Sequence, residues 1–287
     1  MGRELALGLK KGGYEVSALS TLASTSGRTS TLESAGVKII KCDILSGELN
    51  EVMLESEPDV VVHAAGLIAA KNQETAAADY ARINVAGTSH VLAASERADA
   101  KQFVYRSTTA VYGKAVSLPI GESHPTNPIG LYGSSKLEAE KLAEKSREVG
   151  MRVFIPRIFN AYGPDPTRPE VVSQTIKSVS KHEQPALSGG GKPTRDFVYV
   201  SDVVEAVQAG IKNRLDTTLN VATGRETSLL QLAELVISIM GSDLKPKLMP
   251  SRRGGVDRNF ADVSKAHTLG IKAKVSLEEG IGRLIRH

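Results

Sequence analysis

Apolar positions along the first 160 residues follow two alternating rhythms. Runs at residues 14–19, 37–42, 58–64, 101–106 and 151–155 are short, apolar and bounded by glycine, proline or aspartate, which predicts buried β-strands. Between them, residues 2–11, 46–56, 78–97 and 132–149 space apolar side chains three and four apart, which predicts amphipathic helices. In the last of these, Leu137 is read as facing the core, with Glu140 and Lys141 as outward charges. Apolar strands separated by helices belong to an α/β fold, a parallel sheet covered on both faces. No strand pair in this half carries a two-residue hairpin signal. After Arg157 the rhythm changes. Turn-rich stretches at 162–166 and 188–193 separate expected helices near 170–182, 202–214, 228–241 and 276–286, which predicts a smaller second lobe.

Composition narrows the class. Hydrophobic residues make up 41% and charged residues 24%, ordinary globular usage that excludes a disordered or fibrous chain. Lys and Arg number 36 against 32 Asp and Glu, so the net charge is only +4 over 287 residues, and the cations are scattered. That balance gives no reason to expect nucleic acid as a partner. Apolar runs are too short to cross a bilayer, and Arg3 and Glu4 open a helix-like segment rather than a secretory leader, so no membrane role is expected. The single cysteine, Cys42, forms no intramolecular disulfide and fits a reducing, cytoplasmic setting. No His/Cys/carboxylate cluster has metal-ligand spacing, and His63 is read as a core residue.

The sharpest chemical signal is Tyr132-Gly-Ser-Ser-Lys136. A tyrosine and a lysine four apart at a helix start share one face. An ammonium favours the anionic form of a nearby phenol, which makes the phenol a usable proton acceptor. Spacing alone does not separate this from a solvated helix face. Upstream, a predicted strand ends in Ser107, Thr108 and Thr109. The carboxyl edge of a parallel sheet is where such folds bind ligands. Thr108 is placed to hydrogen-bond the substrate hydroxyl that Tyr132 deprotonates; turn-forming or capping roles account for at least one of the three hydroxyls.

With these residues in hand, the chain resembles the extended short-chain dehydrogenase/reductase family, in its NAD-dependent sugar-nucleotide epimerase and dehydratase branch. The likeness runs from Gly2 to about Ile285 and rests on seven signatures in the family's order. They are Val61-Val-His-Ala-Ala65, Asn84-Val-Ala-Gly-Thr88, Ser107-Thr-Thr-Ala-Val-Tyr-Gly113, Tyr132-Gly-Ser-Ser-Lys136, Arg157-Ile-Phe-Asn-Ala-Tyr-Gly-Pro164, Arg195-Asp-Phe-Val-Tyr-Val200 and Ala261-Asp-Val-Ser-Lys-Ala266. The resemblance implies a Rossmann-type doubly wound parallel sheet over residues 1–165 that binds the dinucleotide. A substrate-binding lobe would follow over 166–287, with some segments returning to the first domain. It implies Thr108, Tyr132 and Lys136 as the catalytic triad, and NAD as cofactor with NADP left open. Cofactor contacts are implied at Gly2, Asp43, Ile44, Ala64, Ala65, Gly66, Asn84, Tyr132, Lys136 and Phe159. A nucleoside diphosphate sugar, foremost a UDP-sugar, would meet Thr108, Asn160, Arg195 and Arg252, since a pyrophosphate suits arginine forks. Alternatives stay open at three positions: a helix cap for Asp43, a salt bridge to Asp196 or Asp202 for Arg195, and Arg253 in place of Arg252. A homodimer through the helices at 78–97 and 132–149 is implied as well.

Two departures from the family's pattern matter. The dehydratase branch carries an acidic pair after the catalytic threonine, where this chain has Thr109 and Ala110, so epimerisation at C4 leads. A nucleotide-sugar reductase or dehydrogenase, or a cofactor-impaired nucleotide-binding protein, are the competing readings. The family's first strand and most of its glycine-rich loop are also missing. Gly2 matches the end of that loop, so about a dozen residues, one strand and its turn, are expected before Met1 in the functional protein. Without that central strand, buried backbone groups would lose their partners at about 1–3 kcal/mol each.

Overall fold

The computed structural model describes residues 1–21, 27–68, 77–164, 170–250 and 256–286. The first half alternates as expected: α1 (Gly2–Lys11), β1 (Ser17–Ser20), α2 (Gly27–Ser34), β2 (Lys38–Lys41), α3 (Leu49–Ser56) and β3 (Val60–His63). Next come α4 (Ala77–Asp79), a π-helical turn (Tyr80–Ala86), α5 (Gly87–Arg97), β4 (Gln102–Tyr105), β5 (Ser107–Thr108), α6 (Leu131–Lys145) and β6 (Arg152–Ile158). The remainder holds β7 (Asn160–Tyr162), α7 (Val171–Ser180), β8 (Ala186–Leu187), β9 (Thr194–Arg195), β10 (Phe197–Tyr199) and α8 (Val200–Lys212). It ends with β11 (Thr218–Val221), β12 (Thr227–Ser228), α9 (Leu229–Ile239), β13 (Lys247–Leu248), α10 (Ser264–Thr268) and α11 (Leu277–Ile285). Two local features depart from the periodicity. Helix α2 is nearly all polar, and among its described side chains Thr29 and Leu32 are the buried ones, too few to register as an amphipathic pattern. The helix expected at 78–97 is interrupted by the π-turn, which adds a residue to a turn and re-aims Asn84.

Two compact units divide the chain. The first comprises Met1–Val111, Thr126–Arg157 and Val204–Leu219. Its main sheet runs in the order β11-β6-β4-β3, with β5 beside β6. β3, β4 and β6 are parallel and in register through Val62, Val104 and Phe154. Strands β1 and β2 form a separate parallel pair. Phe103, Tyr105, Val153 and Ile155 bury one sheet face against Ala139 and Ala143 of α6 and Val91, Leu92 and Ala94 of α5, with Leu19 packed at the margin of the same core. The other face carries Val104 and Phe154, also fully buried. There Gly210 of α8 has no room for a side chain, since a Cβ would lie 2.2 Å from Phe154 Cε1. Gln102, buried mid-sheet, satisfies its amide by donating to the carbonyls of Gly210 and Leu215.

The second unit comprises Tyr112–Pro125, Ile158–Val203 and Asn220–His287. It is built from three short strand pairs, β7 with β10, β8 with β13 and β9 with β12. Ser228 and Gln231 form a reciprocal capping box that starts α9. Asp196 is its hub. Fully buried, it accepts from Thr223 N and Oγ1, Gly224 N and Ala261 N, tying three separate stretches of chain together. Among the described residues no helix is long and apolar enough to cross a membrane.

Candidate active site

Thr108 closes β5 at the end of a strand, half-buried. Directly after it the chain makes a tight 3-10 turn, Thr109–Val111, anchored by Ala110 N donating to Thr108 Oγ1 at 3.3 Å. Helix α6 starts beside this turn. The closeness has one cause: Gly133 lacks a side chain, and a Cβ there would sit 2.7 Å from the Ala110 carbonyl oxygen and 2.9 Å from Pro128. Tyr132 and Lys136 thus stand one turn apart on the first two turns of a helix held next to Thr108. All three predicted catalytic residues belong to the first unit.

Lys136 is buried, 2% exposed, with its ammonium 4.1 Å from the centre of the Tyr105 ring. Burial holds its pKa well below that of an ordinary lysine, and the Arg106 charge pushes the same way while Glu140 opposes them. His63 lies under the same cluster. Burial, with the Lys136 and Arg106 charges, lowers its pKa to about 3, so it is neutral, its Nε2 3.0 Å from Thr88 Oγ1. Thr88 in turn donates to the Asn84 carbonyl. His63 is a core residue, as its sequence context suggested. Tyr105, whose phenol burial pushes far up, is likewise un-ionised.

The residues expected around the cofactor divide by unit. Asn84, turned inward by the π-turn, is fully satisfied: Oδ1 accepts from Leu67 N at 2.7 Å, and Nδ2 donates to Leu67 O and to Ser135 Oγ. Ser135 donates on to the Tyr132 carbonyl. Asn84 therefore clamps the segment after β3 to the start of α6. Gly66 permits this clamp, having φ of +142° and no space for a Cβ, which would lie 2.9 Å from Asn84 Oδ1. Gly2, at the start of α1, faces Ala64, with 3.8 Å between its would-be Cβ and the Ala64 Cβ. Small residues thus line the carboxyl end of β3 and the amino end of α1, a cradle that suits close approach of a dinucleotide, and Ala65 is exposed beside it. Asp43 accepts from Leu45 N in a local turn, and Ile44 packs against Gly87 and the core.

Phe159, Asn160 and Arg195 belong to the second unit. Phe159 is buried against Tyr112. Asn160 donates from N and Nδ2 to the Asp196 carbonyl. Arg195 is oriented by backbone carbonyls, its Nη1 donating to Thr194 O at 2.6 Å and Val256 O at 3.0 Å. Burial lowers its pKa and the Asp257 charge partly offsets this. The Asp196 carboxylate points elsewhere, into its own four hydrogen bonds. Arg252 and Arg253 lie outside the described residues.

One reading is corrected. Glu140 is not an outward charge: it is 1% exposed and forms a forked ion pair with Arg157 of β6, at 2.7 Å between Nη2 and Oε2. It also accepts a hydrogen bond from Ser107. Leu137, expected inward, is only half-buried. The pattern Tyr132, Lys136, Glu140 repeats at four residues, the signal that places all three on one stripe of α6.

A parallel α/β sheet, a hydroxyl at a strand's carboxyl edge and a phenol one turn from a buried ammonium define an enzyme class that moves a proton at an alcohol beside a dinucleotide. The chain belongs to the NAD dependent epimerase/dehydratase family, whose model matches residues 1–222. It is 30% identical to a UDP-glucose 4-epimerase from Mycolicibacterium smegmatis over 298 residues, spanning 99% of this chain and 94% of that one. It is 31% identical to the human dTDP-D-glucose 4,6-dehydratase over 258 residues, 86% of this chain and 74% of that one. Among solved structures, the UDP-glucuronic acid 4-epimerase of Bacillus cereus, in complex with UDP-4-deoxy-4-fluoro-glucuronic acid and NAD, matches with a TM-score of 0.88 at 25% identity, over 99% of this chain and 95% of that one.

Proposed function

We propose that this chain is an NAD-dependent UDP-sugar 4-epimerase. One observation carries the reading: Tyr132 and the buried Lys136 stand one turn apart on α6, which Gly133 lets start against the turn after Thr108. NAD, when bound, would supply reversible hydride transfer at the sugar C4. Thr108 orients the C4 hydroxyl through its Oγ1. Tyr132 takes that hydroxyl's proton and gives it back once the 4-keto sugar presents its other face. The Lys136 ammonium supports the negative charge that develops on the Tyr132 oxygen. Gly2, Asp43, Ile44, Ala64, Ala65, Gly66, Asn84 and Phe159 are assigned to the cofactor, and residues 1–165 to its domain. Thr108, Asn160, Arg195 and Arg252 are assigned to the nucleoside diphosphate sugar, the last two in the lobe from 166 to 287. Arg195 supports this assignment, because backbone carbonyls fix the direction of its guanidinium. Thr109 and Ala110 supply no carboxylate for eliminating water, which sets the chain apart from dehydration. A cytoplasmic homodimer completes the proposal.

Incubating the protein with UDP-galactose and NAD, and following the C4 epimer by NMR, tests it. The expected result is interconversion with no net reduced cofactor, lost in Tyr132→Phe. Stoichiometric accumulation of reduced cofactor would instead establish a dehydrogenase.

A further inference from the structure

Glu140 is a deeply buried carboxylate beside Lys136 on α6, and the proposed reaction makes no use of it. It lies two turns after Tyr132 and one after Lys136 on the same stripe of α6. Its partners come from two strands. Arg157 of β6 grips both of its oxygens, with Nε at 3.1 and 3.2 Å and Nη2 at 2.7 Å, and Ser107 of β5 donates to Oε1. Ser107 immediately precedes Thr108. The network therefore fixes the strand that carries the orienting hydroxyl to the helix that carries the phenol and the ammonium. A buried ion pair is weak grounds for stability, since desolvation offsets most of its attraction. A buried pair that joins two site-bearing elements serves geometry and local charge instead.

We propose that Glu140, held by Arg157 and Ser107, is a positioning residue for the epimerisation: it sets Thr108 against Tyr132 and places a carboxylate charge one helical turn from Lys136. The proposal rests on the catalytic reading of those three residues. The groups around Lys136 show why a counter-charge is needed. His63 from β3 is neutral, Tyr105 from β4 presents an un-ionised ring, Arg106 after β4 adds a like charge, and Tyr132 is the phenol it serves. Glu140 is the one group among them that favours the charged lysine.

Glu140→Gln alone removes the carboxylate facing the buried Arg157 charge, so the test is the double variant Glu140→Gln with Arg157→Gln, in which neither charge remains. Ser107→Ala is the second variant; it cuts the strand-to-helix link and keeps the charge. The expected double-variant result is a kcat about ten- to hundred-fold lower with KM for UDP-galactose unchanged. The alkaline limb of its activity profile should move to lower pH. The Lys136 signal of lysine-labelled protein, assigned by its loss in Lys136→Met, should titrate at lower pH in step. Ser107→Ala should lower kcat without moving that limb. A double variant whose Lys136 titration and alkaline limb match the parent, with only thermal stability reduced, overturns the charge role; wild-type kcat in Ser107→Ala overturns the positioning role. If Tyr132→Phe turns over normally, the catalytic reading fails, and the Lys136 titration, which needs no turnover, still decides whether Glu140 controls that ammonium.

Discussion

At Tyr132 the phenol oxygen is the only group on the first turn of α6 suited to take a proton, so Tyr132→Phe removes the acid/base step and little else. Turnover of UDP-galactose should fall about 10²–10⁴-fold with the circular dichroism spectrum unchanged. Lys136 carries a different trade. Its folded-state pKa is depressed below the ordinary 10.5 by burial and by Arg106. A depressed lysine gives stability that is fully present above 10.5 and is lost as pH falls through the folded value. At neutral pH the burial of Lys136 therefore weakens the fold. Lys136→Met should abolish turnover yet raise the melting temperature near pH 7, with the gain shrinking as the pH approaches 10.5; calorimetry across that range measures it.

Among the elements, α6 and the turn after β5 depend on one missing side chain. Gly133→Ala puts a methyl 2.7 Å from the Ala110 carbonyl. Backbone has to move to relieve it, so we expect a loss of about 1–3 kcal/mol in denaturant unfolding. A turnover loss on the order of tenfold or more should accompany it, because Thr108 and Tyr132 separate. Most of the helix and strand pattern of this half was legible in the sequence, because the central strands β3, β4 and β6 are largely apolar and helices such as α1 and α5 carry an apolar stripe, whereas the polar α2 left no such mark. The π-turn at Tyr80–Ala86 was not legible, since one extra residue per turn leaves no mark in polarity. Glu140 was misread for a related reason. A carboxylate is almost never buried unless paired, and its partners, Ser107 and Arg157, lie 33 and 17 residues away in sequence.

On the scale of whole units, Asp196 draws Thr223, Gly224 and Ala261 to one point and offers its carbonyl to Asn160. Asp196→Ala orphans those donors and should cost about 3 kcal/mol. It should raise KM for the UDP-sugar while leaving the Lys136 titration, which belongs to the other unit, where it was. By itself the sequence determined the parallel α/β class and the family, and singled out Thr108, Tyr132 and Lys136 as the candidate constellation. Those rest on periodicity and on short motifs, such as Tyr132 and Lys136 four apart on one helix, where local geometry follows from spacing. Only the tertiary structure decided which charges are buried, how Asn84 and Gly66 meet, and that Glu140 joins Arg157 and Ser107 behind the site. Each of those is a meeting of distant segments, chosen by close packing and the need to pair buried polar groups, and neither requirement is written in any one stretch of chain.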